Sequence, residues 1–82
     1  MRFFVEENNT LVARLKFENF VEAWGFLSEV ALHSEKENHH PRLTISYGDV
    51  VIELTSHDAG NLVTDKDYKL AGIIEWVYLK YE

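Results

Sequence analysis

The apolar residues of this chain repeat first at every second position, then at every third or fourth, and then run through the same change again. That alternation of periods is what most constrains the fold. Arg2 to Val5 is a short apolar run suited to an edge strand, and Glu7-Asn8-Asn9 reads as a turn, because Asn tolerates left-handed backbone. Thr10 to Phe17 alternates, with Leu11, Ala13, Leu15 and Phe17 on one face and Thr10, Arg14 and Lys16 opposite, as a half-buried strand does. From Phe20 the period lengthens. Phe20, Ala23, Trp24, Leu27, Val30 and Ala31 fall on one helical stripe. Asn19 with Glu22 three residues on supplies an N-cap, and Pro41 disfavours helix at His40, so the helix should fade near Lys36-Glu37-Asn38.

Leu43 to Tyr47 and Val50 to Ser56 are β-rich runs on either side of Gly48-Asp49, a connection short enough for a tight hairpin. His57 falls where the second run ends. A last helix starts near Thr64, with Asp67 as its capping partner and Leu70, Ala71, Ile74, Val77 and Tyr78 as its apolar stripe. The order is β-β-α-β-β-α. It predicts a single α+β domain over residues 1–82, a four-stranded antiparallel sheet with two helices packed on one face.

Composition narrows the function classes. A chain of 82 residues buries only about 60–65% of its unfolded surface, so association of subunits would help it, and two Trp, four Tyr and five Phe supply apolar bodies for a core or an interface. The net charge of −6, with eight basic residues scattered among fourteen acidic ones, argues against direct binding of nucleic acid. With no cysteine there is no disulfide, no thiolate nucleophile and no Cys-type zinc site, which fits a reducing compartment. The apolar run at the start is too short for the core of a signal peptide, and no stretch approaches the ~18 apolar residues of a membrane span. A cytoplasmic protein is expected.

Histidine is the unusual feature. His39 and His40 stand side by side at a helix exit, and His57 stands at a strand end after the next hairpin. If the hairpin strands pair, residues just before Leu43 lie near residues just after Leu54, which brings the pair towards His57. Metal binding fits poorly, since adjacent side chains diverge in extended backbone, no His-x₃-His pair exists, and structural zinc usually wants Cys as well. Nothing resembles a nucleophile elbow around Ser56. General acid–base catalysis fits best, because imidazole titrates near neutrality and one ring can give a proton while another takes one. His33, on the polar side of the first helix near Glu29 and Glu37, reads as surface. Trp24 and Tyr47 read as core, and Asp67 as a cap.

The spacing sharpens this. Glu35-Lys36-Glu37-Asn38-His39-His40-Pro41 is followed after five residues by Tyr47, after nine more by His57 and after nine more by Asp67. This pattern closely resembles the signature of the pterin-4a-carbinolamine dehydratases. The flanks agree: Arg14 to Trp24 is similar to that family's strand-to-helix passage, and Thr55-Ser56-His57-Asp58-Ala59-Gly60 to its Thr-His-(Asp/Glu) loop. The resemblance covers roughly Asn9 to Glu75. Two features depart from it. The loop Gly60-Asn61-Leu62-Val63-Thr64 is one residue longer than the family's usual Gly-Gly-Leu-Thr, which loosens the placement of Asp67. Family members also usually begin with a further helix, whereas this chain starts near the first strand, a short form.

The resemblance implies loss of water from a 4a-hydroxytetrahydropterin to give quinonoid dihydropterin, in tetrahydrobiopterin recycling, with no metal and no cofactor. It implies that His39 and His57 are the acid–base pair and that Glu35 orients or polarises His39. It also implies that His40, Pro41, Tyr47 and Asp67 bind substrate or shape its pocket, in a homo-oligomer. Two other roles known among relatives stand beside this: a non-catalytic dimerisation cofactor of a transcription factor, and a dehydratase-like protein of molybdopterin metabolism. The intact histidine set favours catalysis.

Overall fold

The computed structural model describes residues 1–82. Strands β1 (Val5–Glu7), β2 (Thr10–Lys16), β3 (Arg42–Ser46) and β4 (Asp49–Leu54) form one antiparallel sheet in the order β1-β2-β4-β3. Helices α1 (Phe20–Glu37) and α2 (Asp65–Tyr78) pack on one face of it, the α+β arrangement expected. Alternation decides which face. Leu11, Ala13 and Leu15 of β2 and Val50, Ile52 and Leu54 of β4 are all buried against Ala23, Phe26, Leu27 and Val30 of α1 and Leu70, Ala71, Ile74 and Val77 of α2. Phe17, Phe26, Tyr78 and Tyr81 close one end of this core with ring centroids about 5–6 Å apart, a range in which edge-to-face pairs are favourable. No helix is long and apolar enough to cross a membrane.

Three local expectations are corrected. The first strand begins at Val5, not Arg2, because the backbone N–H groups of Arg2, Phe3 and Phe4 donate to the Glu75 carboxylate on α2, at 3.2, 2.7 and 2.9 Å, instead of to a strand. The β3–β4 turn is Tyr47-Gly48, with Ser46 paired to Asp49. Tyr47 takes the left-handed conformation (φ 52°), and a Cβ on Gly48 would lie 2.4 Å from the Phe17 carbonyl oxygen, so only glycine fits that approach. Trp24 is 57% exposed and is not core. The buried stripe of α1 is Ala23, Phe26, Leu27, Val30 and Ser34; Phe20, Trp24 and Ala31 are exposed, Trp24 and Ala31 beside Leu43 and Ile45 of the edge strand β3.

Candidate active site

Three elements end at the same corner of the sheet. Helix α1 stops because Asn38 adopts the left-handed conformation (φ 51°, ψ 43°), and the N–H groups of Asn38 and His39 satisfy the carbonyls of Glu35 and Ser34. The chain then runs extended through His39 and His40 into β3, whose first residue, Arg42, pairs with Glu53 near the end of β4. The hairpin register therefore sets His39 and His40 beside Thr55, Ser56 and His57. A short 3-10 turn (His57–Ala59) and the loop after it lead into the N-terminus of α2. Asn38, His39, His40, Thr55, His57, Asp58 and Lys66 line a polar depression of about 310 Å³ there. A second, of about 230 Å³, shares His40, Thr55 and His57 with it and extends over Thr10, Arg42 and Glu53.

The two adjacent histidines face opposite ways, as extended backbone requires. His39 turns inward. Its side chain is 12% exposed, and Nε2 lies 2.5 Å from Oδ1 of Asp67, whose own side chain is wholly buried. Asp67 Oδ2 accepts from Ser56 Oγ at 2.7 Å and from the Thr64 backbone N–H at 2.9 Å. Burial works against charge on this carboxyl, but the hydrogen bonds from His39, Thr64 and Ser56 outweigh it and hold the group below the usual carboxylate range. An ionised carboxylate only accepts. The proton of the short bond therefore sits on His39 Nε2, leaving Nδ1 as the nitrogen free to exchange. His40 turns outward, and its Nε2 lies 2.8 Å from Glu35 Oε1. His57, also exposed, has Nδ1 2.7 Å from Asn61 Oδ1.

His39, His40 and His57 are thus brought together as expected, and His33 lines neither depression. Four other expectations are relocated. Glu35, 81% exposed, partners His40 and not His39. Asp67 lies beneath His39 and lines neither depression, so it reaches the pocket only through that ring. Pro41 is half-buried and also off the lining; it fixes the backbone between His40 and β3. Tyr47 sits at the far tip of the hairpin, five strand residues or roughly 16 Å from the histidines, and is 83% exposed. The Ser56–Leu62 bridge closes the loop after His57, and within it Gly60 and Asn61 both take left-handed backbone.

Residues 3–77 match the family model of pterin 4 alpha carbinolamine dehydratase. The chain belongs to the pterin-4a-carbinolamine dehydratase family. Two relatives from Prochlorococcus marinus strains, provisionally named as such dehydratases, are 47% identical over 94% of this chain and 77% of their own, and 51% identical over 84% and 72%. A crystal structure described as a transcriptional coactivator/pterin dehydratase from Brucella melitensis superposes with a TM-score of 0.81 at 33% identity, covering 89% of this chain and 77% of that one. A pterin dehydratase-like protein, described as a RuBisCO assembly factor in the alpha-carboxysome, shares the fold (TM-score 0.73, 19% identity, 90% and 84% covered).

Several residues that build this dehydratase-family pocket gave little signal beforehand. Ser56 had one: it shares the inward parity of Ile52 and Leu54, so a polar side chain there had to find a buried partner. Thr55, Asp58 and Lys66 line the depression with no such mark, and an ion pair of 3.2 Å links Lys66 to Asp58 on its rim.

Proposed function

We propose that this chain is a 4a-hydroxytetrahydropterin dehydratase working by histidine acid–base catalysis. The observation that carries the reading is one polar depression edged by His39, His40 and His57, with His39 seated on a buried carboxylate. Expelling the 4a-hydroxyl needs a proton at that oxygen, and forming the C4a=N5 double bond needs a base for the N5 proton. His39 and His57 are the pair that exchanges these protons, and water leaves without any change of oxidation state. His40, held by Glu35, lies between the two depressions and contacts the pterin ring. The product is quinonoid dihydropterin, which places the reaction in tetrahydrobiopterin recycling, in the reducing cytoplasm that a readily oxidised tetrahydropterin requires.

Paired general acid and base are each worth about 10²–10⁴-fold in rate. His39→Ala and His57→Ala should each lose an amount of that order in kcat on a synthetic 4a-hydroxytetrahydropterin, with circular dichroism unchanged. Wild-type rates in both variants would remove the reading.

The chain acts as a homo-oligomer in this reading. Strand β3 has a free edge, and beside it Trp24, Leu27, Ala31, Leu43 and Ile45 line an apolar groove of about 340 Å³. Two-fold antiparallel pairing of β3 about Thr44 would set Leu43 opposite the partner's Ile45 and Arg42 opposite the partner's Ser46. No like charges meet in that register, and apolar side chains of both copies share one face.

A further inference from the structure

His39 and His57 are anchored by unlike devices. The first rests on a buried carboxylate with several donors, whereas His57 is exposed and its ring makes one side-chain hydrogen bond, Nδ1 to Asn61 Oδ1 at 2.7 Å. An exposed imidazole without such an anchor turns about its χ angles and divides between two neutral tautomers. Asn61 is itself well placed to prevent this. Its backbone N–H donates to the Ser56 carbonyl at 3.0 Å, and the next residue, Leu62, bridges back to Ser56. Its φ of 62° lies in the left-handed region that Asn tolerates better than most residues with a side chain.

We propose that Asn61 is the positioning residue of His57: its amide oxygen holds the Nδ1–H, fixes that tautomer, and leaves Nε2 as the nitrogen that exchanges protons with a ligand in the depression. The two rings then present opposite nitrogens. His39 gives up Nε2 to Asp67 and works through Nδ1, while His57 gives up Nδ1 to Asn61 and works through Nε2. With both rings neutral, a substrate held between them meets two lone-pair nitrogens; when one ring takes up a further proton it meets one proton-bearing and one lone-pair nitrogen, without either ring having to reorient. The catalytic consequence rests on the dehydratase reading; the tautomer does not.

The test uses full-length chain labelled with ¹⁵N, wild type against Asn61→Gly and Asn61→Asp. Glycine adopts this backbone without strain, so Asn61→Gly removes the amide and keeps the loop. Aspartate restores an acceptor. Long-range ¹H–¹⁵N correlations should show neutral His57 protonated at Nδ1 in the wild type, shifted largely to the Nε2–H form of free imidazole in Asn61→Gly, and returned to Nδ1–H in Asn61→Asp. Loss of the competent tautomer should lower kcat about 3–10-fold in Asn61→Gly, with KM within about twofold, and Asn61→Asp should recover it. An Nε2–H tautomer in the wild type, or one unmoved by Asn61→Gly, overturns the proposal. A tautomer that follows Asn61 in a protein that dehydrates no pterin would sink the dehydratase reading and leave the positioning role standing.

Discussion

Helix α2 carries two desolvated carboxylates eight residues apart, and they make an instructive pair. Asp67 and Glu75 are each set against burial, and each is held ionised by hydrogen bonds that outweigh it, so both lie below the usual carboxylate range. By titration alone they look alike. Their donors separate them. Glu75 takes the backbone N–H groups of Arg2, Phe3 and Phe4 and so ties the first residues of the chain to the helix. Asp67 takes Ser56, the Thr64 backbone and one titratable ring that lines the depression. A perturbed carboxylate marks function only when a partner faces a place where a ligand can stand; otherwise it is a latch.

The widest separation should come from exchanging each carboxylate for its amide. Asp67→Asn lets an N–H face His39 Nε2 and reverse its tautomer, which should cost about 10²-fold or more in kcat. Glu75→Gln should leave kcat within about twofold. Because it weakens hydrogen bonds to a charged acceptor, it should instead lower stability by about 1–2 kcal/mol, or roughly 4–15 °C in Tm for a domain this small. Steady-state kinetics and calorimetry on both variants check the contrast. Equal kinetic losses would show that the N-terminal segment, and not the identity of the carboxylate's partner, governs the site.

How much of this was legible beforehand follows from what sequence spacing can and cannot encode. That the histidines meet was readable, because an antiparallel hairpin returns its second strand beside the start of its first whatever the side chains do. Which carboxylate takes which histidine was not. Glu35 is one turn before His39 and looks like its partner, but left-handed Asn38 ends the helix and the following residues alternate, so the inward ring is His39 and the outward one His40. Asp67 read as a helix cap, and it is one; its second oxygen is what reaches the ring. Trp24 misled because the period of a helix gives a stripe but not its angle, and Phe26 and Ser34 turn that stripe by part of a turn.

A smaller effect concerns acid. For a group whose folded pKa is lowered, the stability it contributes is full above the unfolded carboxylate range, about 3.9–4.3, and is lost as pH falls through the lowered folded value. Both α2 carboxylates have that sign. Tm should therefore stay level from neutrality down to about pH 4.5 as far as these groups are concerned, then fall. Asp67→Asn and Glu75→Gln should each make the acid limb shallower. A limb unchanged in Glu75→Gln would mean that the carboxylate is not what holds Arg2, Phe3 and Phe4.

The smallest effect is expected at the other end of the hairpin, and it bears on where the site stops. Tyr47 belongs to the spacing on which the resemblance rests, yet its ring is exposed at the tip, far from the histidines of the same chain. Its left-handed φ of 52° costs an L-residue about 1–2 kcal/mol. Tyr47→Gly relieves that strain but frees the unfolded chain by about 0.5–1 kcal/mol, so the net change should be a stabilisation of about 0–1.5 kcal/mol, measured by denaturant titration. In dilute solution of single chains kcat/KM should not move. A large loss of kcat/KM that grows with protein concentration would place the Tyr47 ring in the site of a second copy, and the depression described for one chain would then be only part of the working pocket.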